Sequence, residues 1–198
     1  MKKRQVVTIH GGGSFIPQAG ETMLEIIAAK EPSLERMRRS VDWKGEIQER
    51  LGDAYDVLAP RMPNADAPHY REWKLWFEKI LPLFEEDALF VGHSLGGMFL
   101  AKYFSENPQR AHVPALFLVA PPYDSMRYGW ELADVEALAS HAGKVFIYHS
   151  KDDEVVPFGE NEKFKAALPG AAFRELDDRG HFNKDDFPEI VGDIRSLH

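Results

Sequence analysis

The chain has 198 residues, 44% of them hydrophobic, which suits one folded unit with a sizeable core and leaves little room for two. Its formal net charge is -8, with basic residues scattered among acids, which argues against a nucleic-acid footprint or attraction to anionic membrane. With no cysteine, disulfides, thiol catalysis and thiolate metal sites are all excluded.

The chain opens on basic Met1-Lys2-Lys3-Arg4, but the apolar run Val6 to Ile9 is too short for a signal-peptide core. No stretch approaches the length of a membrane span, so a cytoplasmic location is the expectation. That same run is β-branched, predicts a strand over 5–9, and enters His10-Gly11-Gly12-Gly13-Ser14. The loop lacks the Gly-Lys-Ser/Thr of a phosphate loop and the G-x-G-x-x-G spacing of a dinucleotide site.

Residues 14–42 are longer than a strand-to-helix connection needs, and 21–30 and 32–39 carry helical patterns. They read as a small helical insertion, either a surface elaboration or a cap over an active-site mouth. Helices are further predicted over 43–51, 69–84, 96–106, 131–141, 159–167 and 186–196. Strands are predicted over 55–59, 88–92, 115–120, 144–149 and 172–176. Tyr70, Trp73, Trp76, Phe77 and Ile80 recur at three- and four-residue spacings, an amphipathic stripe expected to face the core. Leu100, Tyr103 and Phe104 mark a second, well-buried helix that stops at Asn107-Pro108. Short strands alternating with helices predict an α/β class: a three-layer α/β/α sandwich with about six mostly parallel strands, in a single domain over 1–198.

Within this pattern, Leu89-Phe90-Val91-Gly92-His93-Ser94-Leu95-Gly96-Gly97 sets a serine between glycines, after a strand and before a helix. That is the setting of a nucleophile elbow, where a tight turn exposes the hydroxyl. A serine needs a base oriented by a carboxylate, and that order along the chain is serine, acid, histidine. Asp152 and Asp153 follow the strand predicted at 144–149, and His181 lies in Asp178-Arg179-Gly180-His181-Phe182 after the last strand. Asp153 is favoured because it opens an Asp-x-x-Val-Pro turn ending at Pro157; Asp152 is either a support for that loop or the true partner. Asp178 is too close to His181 to serve.

Among the other histidines, His93 should point away from Ser94, His10 should brace the glycine loop, and His149 reads as a support or as strand-end packing. An oxyanion needs two donors: the Leu95 N–H, and a first-loop amide assigned to Gly12 with Gly13 beside it. Tyr123, Met126, Tyr128 and Trp130 follow the fourth strand and either line a pocket or pack the loop. His149, Asp152, Asp153 and His181 have no metal-ligand spacing, so neither a metal nor any other cofactor is expected.

Taken together, the His10–Gly13 loop, Ala59-Pro60-Arg61-Met62-Pro63, Tyr70 to Trp73, the Gly92–Gly97 elbow, Leu118-Val119-Ala120-Pro121-Pro122, the Asp153–Pro157 turn and Gly180-His181-Phe182 resemble a known set. The chain resembles the small single-domain α/β hydrolases of the YdeN-like serine hydrolase family, related to the retinoblastoma-binding serine hydrolases. The resemblance implies a compact hydrolase core lacking the first strands of larger relatives, with Ser94 as nucleophile, Asp153 as acid and His181 as base. It implies a carboxylesterase acting on short-chain or small amphipathic esters. The alternatives are a hydrolase-fold module that binds a protein partner with little turnover, or thioesterase, amidase or perhydrolase chemistry on the same triad.

Overall fold

Alternation of side chains along each strand decides the architecture. In the computed structural model, which describes residues 2–12, 22, 25, 42–107, 113–125, 129–183 and 186–197, six strands form one sheet. These are β1 (Arg4–Ile9), β2 (Tyr55–Leu58), β3 (Leu89–His93), β4 (Val113–Val119), β7 (Ala142–Ser150) and β8 (Ala172–Leu176). Their order is β2-β1-β3-β4-β7-β8, and every pairing is parallel. Val7, Phe90, Leu116, Leu118 and Ile147 enter one buried cluster; Val6, Leu89, Val91, Phe117 and Tyr148 enter another on the opposite face. Two-sided burial is what a parallel sheet with helices on both faces requires.

Helices α1 (Trp43–Leu51) and α6 (Pro188–Arg195) cover the second face. Helices α2 (Tyr70–Ile80), α3 (Leu95–Glu106), α4 (Leu138–His141) and α5 (Gly159–Ala167) cover the first. The first helix is fixed locally: Asp42 accepts from the Lys44 and Gly45 backbone N–H groups, a cap worth about 1 kcal/mol. In contrast, α2 has no side-chain cap and is held by burying Trp73, Phe77 and Ile80, each worth roughly 1.5–3 kcal/mol. Packing therefore dominates there.

Several boundaries differ from expectation. The 69–84 helix ends at Ile80 and continues as a 3₁₀ turn over Leu81–Leu83, because Pro82 has no N–H to continue the α ladder. Trp76 lies at the rim of the α2 stripe and is 39% exposed, so it is no core residue. The helix expected over 131–141 forms only at its end: Glu131 belongs to a two-stranded antiparallel ribbon, β5 (Asp124–Ser125) with β6 (Trp130–Glu131), a 3₁₀ turn covers Val135–Ala137, and α4 covers Leu138–His141. Asp134, at φ 47°, breaks the helical path.

The pieces expected at 21–30 and 32–39 lie outside the described residues apart from Thr22 and Glu25. Those two exchange capping-box bonds, Thr22 N–H to Glu25 Oε2 at 2.7 Å and Glu25 N–H to Thr22 Oγ1 at 3.3 Å. Among the described residues no helix is long and apolar enough to cross a membrane.

From β1 the chain runs outward to β2 and then returns to β3 on the other side of β1. The loops after β1 and β3 therefore diverge and leave a crevice at the carboxyl ends of the strands, where ligands bind in open α/β sheets.

Candidate active site

Ser94 sits at that crevice. Its backbone has φ 55° and ψ -122°, a conformation costing about 1–3 kcal/mol for a residue with a side chain. The turn is held by the Ser94 N–H bonding the Val119 carbonyl at 2.7 Å, and by the Ser94 carbonyl accepting from Gly97 and Met98. Close approach explains two of the glycines: a Cβ on Gly96 would lie 2.3 Å from the Ile9 carbonyl oxygen, and one on Gly92 would lie 2.5 Å from the Gly96 carbonyl oxygen. From Ala88 to Ala101, Ser94 alone is not buried. The strained turn lifts one hydroxyl out of a packed core.

Asp153 and His181 meet after β7 and β8. Asp153 is 7% exposed; its Oδ2 lies 2.8 Å from His181 Nδ1, and its Oδ1 accepts from the Val155 and Val156 N–H groups. A carboxylate bonded on both oxygens fixes the ring it faces. Asp152 instead ties two loops together. Its Oδ1 accepts from the Ser150 hydroxyl and the Gly180 N–H, joining the acid loop to the histidine loop.

The ring of His93 packs 4.9 Å from the His181 ring. Burial, with the Lys44 ammonium and the His181 ring adding, holds the His93 imidazole well below the ordinary histidine range. His149 is fully buried, bonds the Val156 carbonyl through Nε2, and is likewise held low by burial. Both supports were visible in the sequence only as histidines near motifs. The His93 partner lies 88 residues away, after the last strand, whereas His149 bonds within the loop that follows its own strand.

His10 accepts the Met62 N–H at Nε2, so its Nδ1 carries the proton donated to the Gly11 carbonyl. Trp73 packs against that ring and donates to the Pro63 carbonyl, so the 60–67 loop and the glycine loop support each other. A Cβ on Gly12 would lie 2.4 Å from the Ala65 carbonyl oxygen. A Cβ on Gly11 would lie 3.1 Å from Ser94 Cβ and 3.6 Å from its Oγ. Leu95 opens α3, where a helix leaves its first N–H groups unbonded and its positive dipole end exposed.

Gly13, Met126 and Tyr128 lie outside the described residues. Trp130 is buried and packed against Tyr70, Trp73 and Phe99. Tyr123 packs on Phe164, and its N–H is held by the Glu160 carboxylate. Among the described residues no group of three or more histidines and carboxylates could hold a metal ion. A cleft of about 490 Å³ lies at the other end of the sheet, between the amino ends of β7 and β8.

Comparison with known proteins identifies the family of the chain. Residues 36–188 match the model of a family described as "Serine hydrolase". The chain is 26% identical over 170 residues to the serine hydrolase RBBP9 of Rattus norvegicus, covering 78% of this chain and 86% of that protein. It superimposes on the ydeN gene product of B. subtilis with a TM-score of 0.74 at 21% identity, covering 98% of each chain. It superimposes on Est1E from Butyrivibrio proteoclasticus with a TM-score of 0.59 at 15% identity, covering 99% of this chain and 87% of that one. At those identities the two structural likenesses speak for the fold alone.

Proposed function

Because this chain belongs to the serine hydrolase family, we propose that it hydrolyses small, uncharged carboxylic esters through Ser94, His181 and Asp153. The observation that carries the reading is the His181 Nδ1–Asp153 Oδ2 bond of 2.8 Å, formed on the loop whose histidine ring packs against the residue preceding Ser94.

In this reading Asp153 keeps the proton of His181 on Nδ1, leaving Nε2 free to accept the Ser94 proton. The Ser94 oxygen then attacks the ester carbonyl. Charge gathers on the carbonyl oxygen, where the N–H groups of Leu95 and Gly12 stabilise it. Collapse expels the alcohol, which takes the proton from His181, and leaves an acyl-serine. Water, deprotonated by His181, attacks that acyl group; as the acyl–oxygen bond breaks, His181 returns the proton to the Ser94 oxygen and the acid is released.

The reading is tested by labelling the native protein with a fluorophosphonate probe, mapped by mass spectrometry, with Ser94→Ala and His181→Ala as controls. Labelling confined to Ser94 and lost in both variants supports the reading, and an ester series of rising acyl length then defines the pocket. A folded protein that resists the probe would instead be a binding module built on a hydrolase fold.

A further inference from the structure

The segment that carries His181 is strained, and two side chains from elsewhere in the fold hold it. Gly180 and Phe182, on either side of the histidine, both have positive φ, 53° and 52°. Phe182 has a side chain and takes that conformation at a cost. Left to itself, this loop would relax and carry the imidazole with it.

Two donors reach consecutive carbonyls of the segment. His93 Nε2 bonds the His181 carbonyl at 2.8 Å, and Trp43 Nε1 bonds the Phe182 carbonyl at 2.9 Å. Both donors are buried, His93 at 5% exposure and Trp43 at 2%, and their rings pack edge to face. A carbonyl only accepts, so the His93 proton must sit on Nε2 and leave Nδ1 as an acceptor. Lys44 meets that requirement: its ammonium lies 3.4 Å from His93 Nδ1 and is itself held by Asp42 at 2.6 Å. Consecutive residues at the start of α1 thus serve the catalytic loop after β8.

We infer that His93 and Trp43 are positioning residues, a two-point clamp on the His181–Phe182 backbone that sets the imidazole between Asp153 and Ser94, with Lys44 fixing the His93 tautomer. The inference rests on Ser94 and His181 being the nucleophile and base proposed above. The His93 ring also packs on the His181 ring, but the hydrogen bonds that His93 and Trp43 donate go to backbone carbonyls of that segment. They act by holding the backbone of the segment that carries the base.

The experiment compares H93N, H93Q and W43F with the native protein, using p-nitrophenyl acetate turnover and the rate of fluorophosphonate labelling at Ser94. An asparagine amide ends near the Nδ1 position and cannot reach the His181 carbonyl, whereas a glutamine amide extends to the Nε2 position. H93N is expected to lower kcat about tenfold with KM within about twofold, and H93Q to restore most of the loss. W43F keeps the aromatic packing and is expected to lower kcat about threefold. It carries the test should H93N fail to fold.

In both slowed variants the low-field proton of the His181–Asp153 bond should broaden in the NMR spectrum, which loss of packing elsewhere would not cause. Folded variants that melt earlier yet turn over and label at the native rate would overturn the clamp while leaving the nucleophile assignment standing. A native protein that never labels would overturn both.

Discussion

Two neighbouring carboxylates after β7 separate cleanly by what they bind. Asp153 orients a ring, while Asp152 holds a backbone, so their removal should be felt in different measurements. D153N should lower kcat by about 10³–10⁴-fold with the fold intact, because the imidazole loses its orienting partner. D152A should instead cost about 1–3 kcal/mol in a denaturation midpoint, by leaving the Gly180 N–H and Ser150 hydroxyl to find other partners, with labelling slowed less than tenfold. Equal loss of kcat in both, each fully folded, would contradict this division. The Asp-x-x-Val-Pro spacing could nominate Asp153 from sequence alone. The Asp152–Gly180 bond spans 28 residues and leaves no local trace. The buried histidines also set a pH dependence. His93 and His149 are held neutral below the ordinary histidine range, so the unfolded chain takes up protons before the folded one does. Their stabilisation is complete above about pH 6.5 and is lost as pH falls below it, with a slope of up to about 1.4 kcal/mol per pH unit for each residue. Urea midpoints measured from pH 7.5 to 5 should fall, and should fall less steeply in a folded H93Q variant.

At the scale of elements, the elbow is a contact between backbones rather than side chains. Gly96→Ala places a methyl group 2.3 Å from the Ile9 carbonyl, and neither backbone can yield without parting β1 from α3. A loss of at least about 3 kcal/mol is expected in thermal or urea denaturation. Gly11→Ala meets the side chain of Ser94 instead, and should leave the melting temperature within a few degrees while slowing probe labelling at least tenfold. The bounds of α1, α5 and β8 were legible to the residue. The 131–141 region was not. Trp130, Leu132, Val135 and Leu138 suggest helical spacing, yet Trp130 is claimed by the aromatic cluster with Trp73, and Lys102 Nζ bonds the Glu131 carbonyl. Tertiary contacts overrode the local period there.

For the molecule as a whole, parallel pairing places the ends of β1, β3, β7 and β8 on one side, which is how residues 10–12, 94, 153 and 181 converge. That convergence could be anticipated from alternating strands and helices, but the crossed strand order could not, since no residue marks which neighbour a strand will choose. The formal net charge of -8 makes the molecule as a whole repel anions at neutral pH. A carboxylate-bearing ester should therefore show a lower kcat/KM than a neutral ester of equal size at low ionic strength, and the gap should narrow as salt is added. One consequence of the strand order concerns durability. β3, leading to Ser94, is buried along its whole length, while β8, leading to His181, is an edge strand with no buried residue. The proposed nucleophile thus follows a fully buried central strand and the proposed base follows an edge strand. Excursions that detach β8 should silence the enzyme while the centre of the sheet stays intact. Reactivity should then vanish at lower denaturant than the tryptophan signal of the core, and amide exchange at 172–176 should outpace that at 89–93.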